Sequence, residues 1–201
     1  MKRRWIPAIL LCVASLAPVQ ALAQAEGNVQ LQIGLRTLDR DSWGEVDDQW
    51  AWGVQADFGA ARWPVHLQVG LHASEREKRR TSCIVFFCDV GKVELKGTLQ
   101  EASLGVVKIW SPGERVRPFL AAGGEIVNAE LKDRRTGVDH EETSSAAYAA
   151  GGVFWQTSKS ARVRLNSGVE AKIVLGADLR IDGTEESADY YQLAYLIGVG
   201  W

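Results

Sequence analysis

The sequence predicts an all-β fold, an eight-stranded antiparallel up-and-down barrel that crosses a membrane, and three observations point to it. Apolar and polar residues alternate with period two in eight segments. Glycines gather on the polar side of that alternation, where a solvent-facing strand would gain nothing from them. Tryptophans stand at the ends of the alternating segments, and aliphatic residues hold the middles. The 201 residues are 46% hydrophobic and 24% charged, with a formal net charge of −2. That balance excludes a disordered chain and a strongly basic nucleic-acid binder, so no nucleic-acid partner is expected.

Residues 1–23 read as a cleaved secretory signal. Lys2, Arg3 and Arg4 open it, an apolar stretch follows, and Ala21-Leu22-Ala23 supplies the small residues a signal peptidase accepts. Cys12 as a lipid acceptor is disfavoured because the bulky Leu11 precedes it. The remaining domain, 24–201, is more negative by three charges and keeps two cysteines, Cys83 and Cys88. An even pair in an exported chain points to a disulfide. The longest uncharged run, residues 143–158, is shorter than the about 20 apolar residues a spanning helix needs.

The strands follow in order. Val29, Leu31, Ile33 and Leu35 alternate with Gln30, Gln32, Gly34 and Arg36. Trp50, Trp52, Val54, Ala56 and Phe58 alternate with Gln49, Ala51, Gly53, Gln55 and Asp57. Val65, Leu67, Val69, Leu71 and Ala73 oppose His66, Gln68, Gly70, His72 and Ser74. Ala102, Leu104 and Val106 oppose Glu101, Ser103 and Gly105. Residues 118–127 are rich in Ala and Gly; placing Leu120, Ala122, Gly124 and Ile126 on the apolar face sets Glu125 on the other. Residues 146–156 follow, with Val153 and Trp155 outward. Val163, Leu165, Val169, Ala171 and Ile173 oppose Arg164, Asn166, Gly168, Glu170 and Lys172. The last strand sets Tyr191, Leu193, Tyr195, Ile197, Val199 and Trp201 against Tyr190, Gln192, Ala194, Leu196, Gly198 and Gly200.

Short connections (59–64, 111–116, 157–160) alternate with long polar ones (37–48, 75–95, 128–145, 174–188). That is the topology of a barrel inserted from its short-turn side. Alternation alone would also suit a soluble calyx with its apolar face inward. Glycine on the charged face argues for a narrow bore in which small residues leave room for long charged neighbours. Two aromatic bands argue for two bilayer interfaces: Trp50 and Trp52 at one level, and Trp63, Trp110, Trp155 and Trp201 with Phe58 at the other.

Tyr195-Leu196-Ile197-Gly198-Val199-Gly200-Trp201 resembles the C-terminal signature of bacterial outer-membrane β-barrels, an alternating strand that ends on an aromatic residue. Arg117-Pro118-Phe119-Leu120-Ala121-Ala122-Gly123-Gly124 is similar to a Gly-rich strand of the small eight-stranded members, the OmpX, OmpW and opacity-protein type. That family usually ends in Phe, where this chain has Trp201. The resemblance implies a Gram-negative outer-membrane location. It also implies contact with outer-membrane lipid and lipopolysaccharide, and reading of the last strand by the barrel-assembly machinery during insertion.

On this orientation the bore contains a polar network of Arg36, Asp57, Glu101, Glu125, Arg164, Glu170 and Lys172, with His66 and His72. Mixed signs in a narrow barrel call for crossing ion pairs, because an unpaired buried charge costs several kcal/mol. A plugged bore argues against a porin; a narrow channel or an apolar-ligand carrier is the remaining transport reading. His72 and Ser74 lie two apart on one face, similar to the His-x-Ser pair that outer-membrane lipid A deacylases carry on a barrel strand. Here Val69, Leu71 and Ala73 claim the lipid face, and Glu75 stands where an Asn is expected. No catalytic residue, cofactor or metal is therefore expected. His66 and His72 are about 20 Å apart along one strand and cannot share an ion.

The loops are the expected working surface. Residues 75–95 include Arg76, Lys78, Arg79 and Arg80, then Cys83-Ile84-Val85-Phe86-Phe87-Cys88. A disulfide closing so short a ring would contribute about 2 kcal/mol and hold Ile84, Val85, Phe86 and Phe87 in an apolar knob beside the basic run. The knob suits an extracellular partner or lipid, and the basic run suits lipopolysaccharide phosphate. Residues 37–48 and 174–189 each have five acids and one base and read as solvated rims. The expected function is non-enzymatic: adhesion, envelope protection or lipopolysaccharide contact through the loops.

Overall fold

The computed structural model describes residues 25–39, 43–60, 63–84, 87–110, 115–133, 138–156, 163–181 and 184–201. The signal segment 1–23 lies outside them. Eight strands close into an antiparallel barrel: β1 (Ala25–Leu38), β2 (Asp48–Ala60), β3 (His66–Ile84), β4 (Phe87–Ile109), β5 (Val116–Asp133), β6 (Val138–Gln156), β7 (Arg164–Leu175) and β10 (Tyr190–Gly200). A separate two-stranded ribbon, β8 (Asp178–Ile181) with β9 (Thr184–Ser187), lies between β7 and β10 in the chain. Every barrel strand pairs with its chain neighbour, and β1 seals the wall by pairing with both β2 and β10. Closure leaves no unpaired edge at the level of the membrane, the condition a sheet must meet in hydrocarbon.

Period two decides the faces as expected. In β2, exposed and buried residues alternate from Asp48 to Ala60, and β10 does the same. The outward set includes Leu31, Leu104 and Leu193, each more than 60% exposed. Leu120, Ala122, Gly124 and Ile126 face outward and Glu125 inward, as read from the sequence. A continuous apolar wall around a polar bore is the inverse of a soluble barrel and identifies a transmembrane one. Trp50 and Trp52 are exposed at the long-loop end, and Trp63, Trp110, Trp155 and Trp201 at the short-turn end.

Two of the long polar connections are not loops. Pairing of β3 with β2 stops at Glu75, but β3 and β4 run on together to Ile84↔Phe87, with register shifts on either side of Arg79. β5 and β6 likewise continue to Asp133↔Val138, although β6 meets β7 only from Ala147. Residues 75–84 with 87–95 and residues 128–133 with 138–145 thus continue the sheet above the barrel as two strand pairs, which β4 and β5 join up to Leu95↔Asp133. Nine residues of β3 beyond Glu75 reach about 30 Å along the strand. At its base Ala129 is buried and Leu95 and Leu131 pack on the core, and further out charged residues dominate the sequence, so its strands carry no sustained period-two signal.

The other two connections fold over the bore. A single 3-10 turn, Gly44–Val46, brings Val46 inward beside Trp43. At the end of β7, Gly176 takes φ +80, the left-handed turn that suits glycine, and the chain enters β8. Ala177 and Ala188 flank the ribbon and are joined by an Ala188 N–H to Ala177 carbonyl bond of 2.8 Å.

Candidate functional site

The inward side chains stack in layers along the bore. At the short-turn mouth, the Asp57 carboxylate accepts Asn28 Nδ2 at 2.9 and 3.1 Å and lies 3.3 Å from His66 Nδ1. Asn166 Nδ2 donates to Asn28 Oδ1 at 2.7 Å, and Arg164 reaches Gln156 Oε1 at 3.5 Å. Above them Phe119 and Phe154 stack with centroids 4.3 Å apart. Buried Leu196 shares their row through Gly168, which pairs with both Leu196 and Phe154. A Cβ at Gly152 would stand 2.7 Å from the Phe119 ring, and one at Gly168 would stand 2.9 Å from Phe154. At Gly152 and Gly168 the space a side chain would need is taken by a neighbouring strand's carbonyl and by these rings, and at Gly200 by the Asn28 and Asn166 amides, rather than by the long charged neighbours expected.

Higher in the bore, Gln32 Nε2 joins Gln55 Oε1 at 2.9 Å and Glu170 Oε1 at 3.3 Å. Tyr148 donates its hydroxyl to Gln68 Oε1 at 3.0 Å. The principal charge cluster comes next. Arg36, fully buried, donates Nη1 and Nη2 to the two Glu101 oxygens at 2.5 and 2.9 Å. Its Nε and Nη2 also reach Gln192 Oε1 at 3.2 and 2.7 Å, and Nη1 reaches Ser74 Oγ at 3.1 Å. Lys172 Nζ donates to Glu125 Oε2 at 2.6 Å and lies 3.9 Å from Glu101. The Tyr190 hydroxyl donates to Glu101 Oε2 at 2.8 Å and sits 3.2 Å from Glu125 Oε1, with the Arg36 guanidinium 3.9 Å over its ring. Two cations balance two carboxylates, and the bidentate Arg–Glu geometry is the kind that compensates burial.

An apolar cap covers this cluster on the long-loop side. Leu38, Trp43, Val46, Leu99, Val127, Val174, Ala177 and Ala188 are buried together. Trp43 Nε1 donates to the Ser187 carbonyl at 3.1 Å, and Gln49 Nε2 holds the Val46 carbonyl at 3.1 Å. A Cβ at Gly97 would come within 3.1 Å of both Trp43 and Val46. The turn therefore seats directly on the inner face of β4.

Of the seven network residues expected from sequence, the structure brings four together: Arg36, Glu101, Glu125 and Lys172. Glu170 stands apart with Gln32, and Asp57 and Arg164 belong to the mouth. Tyr190 and Tyr148, which tie the network, and Trp43 and Val46, which cover it, were not singled out, and Ser74, which also ties it, was weighed only as a partner of His72. The one signal for the last two was an isolated aromatic and a valine in an acidic segment. His72 and Ser74 both lie inside the bore, and Ser74 Oγ is engaged by Arg36 and by Gln49 Oε1 at 2.7 Å.

On the protruding sheet, Arg76 is exposed and Lys78 pairs with Glu45 of the capping turn. Lys96 Nζ donates to Glu75 at 3.1 Å and to Glu77 at 3.3 Å, and the bond it gives Glu75 holds its ammonium above the usual lysine range. Lys132 pairs with Glu130. Arg79, Arg80, Ile84 and Phe87 lie on the strands, and Val85 and Phe86 fall outside the described residues. Cys83 and Cys88 are direct cross-strand partners in the β3–β4 register. Among the described residues, no three His, Cys, Asp or Glu converge as metal ligands.

No protein-family model and no curated protein matches the chain by sequence. Solved structures do match by shape. Neisserial surface protein A, NspA, superposes with a TM-score of 0.53 at 11% identity, over 88% of this chain and 96% of that one. Ail, the attachment invasion locus protein of Yersinia pestis, solved with the heparin analogue sucrose octasulfate, gives 0.51 at 10% identity, over 88% and 97%. At these identities the likeness is one of fold. The fold is that of the small eight-stranded outer-membrane barrels.

Proposed function

We propose that this chain is an integral protein of the bacterial outer membrane that works without catalysis. Its barrel is a closed support, and its working part is the protruding sheet of β3–β6. The observation that carries this reading is the filled bore. Apolar layers lie on both sides of the charged one, Phe119, Phe154 and Leu196 below and Trp43, Val46 and Leu99 above. Solute transport has no free path through such a bore, and a hydrolase pair at His72 and Ser74 would have no route to substrate. On the long-loop side the sheet continues above the barrel, with Arg76 exposed and Arg79 and Arg80 further along the same strand.

The partner class that suits that surface is anionic: a sulfated glycan of a host surface, or lipopolysaccharide phosphate. Ail, of the same fold, was solved with a heparin analogue, which favours the glycan. Binding through clustered arginines weakens with salt as counterions screen it. The test is retention of the refolded protein on heparin resin against salt. Wild type should elute later than a triple variant of Arg76, Arg79 and Arg80 to Gln. Equal elution of the two proteins would remove this contact from the account. Contact with outer-leaflet lipid and insertion by the barrel-assembly machinery through the last strand belong to the same proposal.

A further inference from the structure

One charged side chain interrupts the lipid-facing wall. On β4 the outward set runs Ala102, Leu104, Val106, Lys108 and Trp110, with Glu101 and Val107 buried on the opposite side. Among the described residues, Lys108 is the one charged side chain on the outward face between the levels of Trp52 and Trp110. It pairs across the strands with Leu120, and Val106, Leu120 and Trp110 around it are exposed. Outward lysines at the long-loop end have glutamate partners, Lys96 with Glu75 and Lys132 with Glu130. Among the described residues, Lys108 has no carboxylate partner. An ammonium in hydrocarbon is costly, and a lysine near the boundary relieves the cost by bending its stem toward the headgroups. Lys108 is placed to do so, two residues, or about 7 Å along the strand, on the membrane side of Trp110. Trp110 and Trp155 are exposed and mark the short-turn interface. Arg115, exposed at the foot of β5, adds positive charge at the same end, where no described Asp or Glu faces outward.

We propose that Lys108 holds the headgroup phosphate of an anionic phospholipid in the periplasmic leaflet, with Trp110 beside it at the level of the glycerol. The short-turn end of such a barrel faces the periplasm, so the lipid meeting Lys108 belongs to that leaflet. A net negative headgroup fits best, because a zwitterionic one already carries a cation next to its phosphate. On the open outer wall the headgroup has solvent on its far side, and no described acid stands against it. This contact is separate from the anionic partner proposed for the long-loop side.

The test is native mass spectrometry of the protein in nonionic detergent, titrated separately with dioleoylphosphatidylglycerol and dioleoylphosphatidylcholine. The first phosphatidylglycerol should bind about fivefold more tightly than the first phosphatidylcholine, the weight of one basic residue at an anionic surface. Lys108→Met should lose that preference while keeping the heat-modifiable migration of a folded barrel in SDS gels. Lys108→Arg should retain it. A triple variant of Arg76, Arg79 and Arg80 to Gln should also retain it, because those residues belong to the opposite end. Equal affinity for the two lipids in wild type overturns the proposal. So does a preference that survives in Lys108→Met, is lost in Lys108→Arg, or disappears in the triple variant.

Discussion

Arg36 shows how one residue can be both the costliest and the best compensated group in the bore. Its guanidinium is wholly removed from solvent, and its donors are spread over Glu101, Gln192 and Ser74. Removing one member of such a pair leaves the other charge buried and alone. Arg36→Met is expected to lower unfolding free energy by about 3–5 kcal/mol, measured by urea titration in lipid vesicles. Adding Glu101→Gln should restore much of the loss; a double variant no more stable than Arg36→Met would show that the pair is not the source. Gly152 is the apolar counterpart. A side chain there meets the Val169 backbone carbonyl and the Phe119 ring, so Gly152→Val should cost about 3 kcal/mol in the same assay. The inward position of these residues was legible in the sequence, because period two sorts them. Their partners were not, because cross-strand register depends on closure of the whole barrel. Arg36 meets Glu101 across the bore although the two residues belong to β1 and β4.

At the scale of elements, legibility followed the environment of each face. Strand segments with lipid on one side and bore on the other carry alternation, and even the Ala- and Gly-rich β5 was oriented correctly. The upper halves of β3 to β6 have no lipid side, so nothing in their hydropathy separates them from loops. The capping turn was hidden differently: Trp43 and Val46 are two apolar residues in a segment whose acids dominate its composition. Trp43→Ala should destabilise the barrel by about 3–5 kcal/mol. It should open no conductance in planar bilayers, because the Phe119–Phe154 layer still blocks the far side. Discrete channels in that variant would show that the cap alone closes the bore. The register setting Cys83 against Cys88 carries a further expectation. One pair inward from the Ile84↔Phe87 closure, opposed side chains share a face at a spacing a disulfide can bridge. Exported protein should resist alkylation at both cysteines until reduced; full alkylation without reductant would exclude the bridge.

For the whole molecule, one partition organises the rest. Apolar residues line the outside between two aromatic bands, and polar residues fill the inside between two apolar layers. On the proposed reading, the working surface is then the sheet that continues β3–β6 on the long-loop side. The measurement that tests this partition most directly is quenching of tryptophan fluorescence in vesicles whose acyl chains are brominated at graded depths. The aromatic bands at Trp50 and Trp52 and at Trp63, Trp110, Trp155 and Trp201 should be quenched most strongly by bromines near the headgroups. Variants carrying a single Trp at Leu31 or Leu104 should respond most to bromines near the bilayer centre. Protein that folds monodisperse in plain buffer, with no bromine quenching at any depth, would contradict the account.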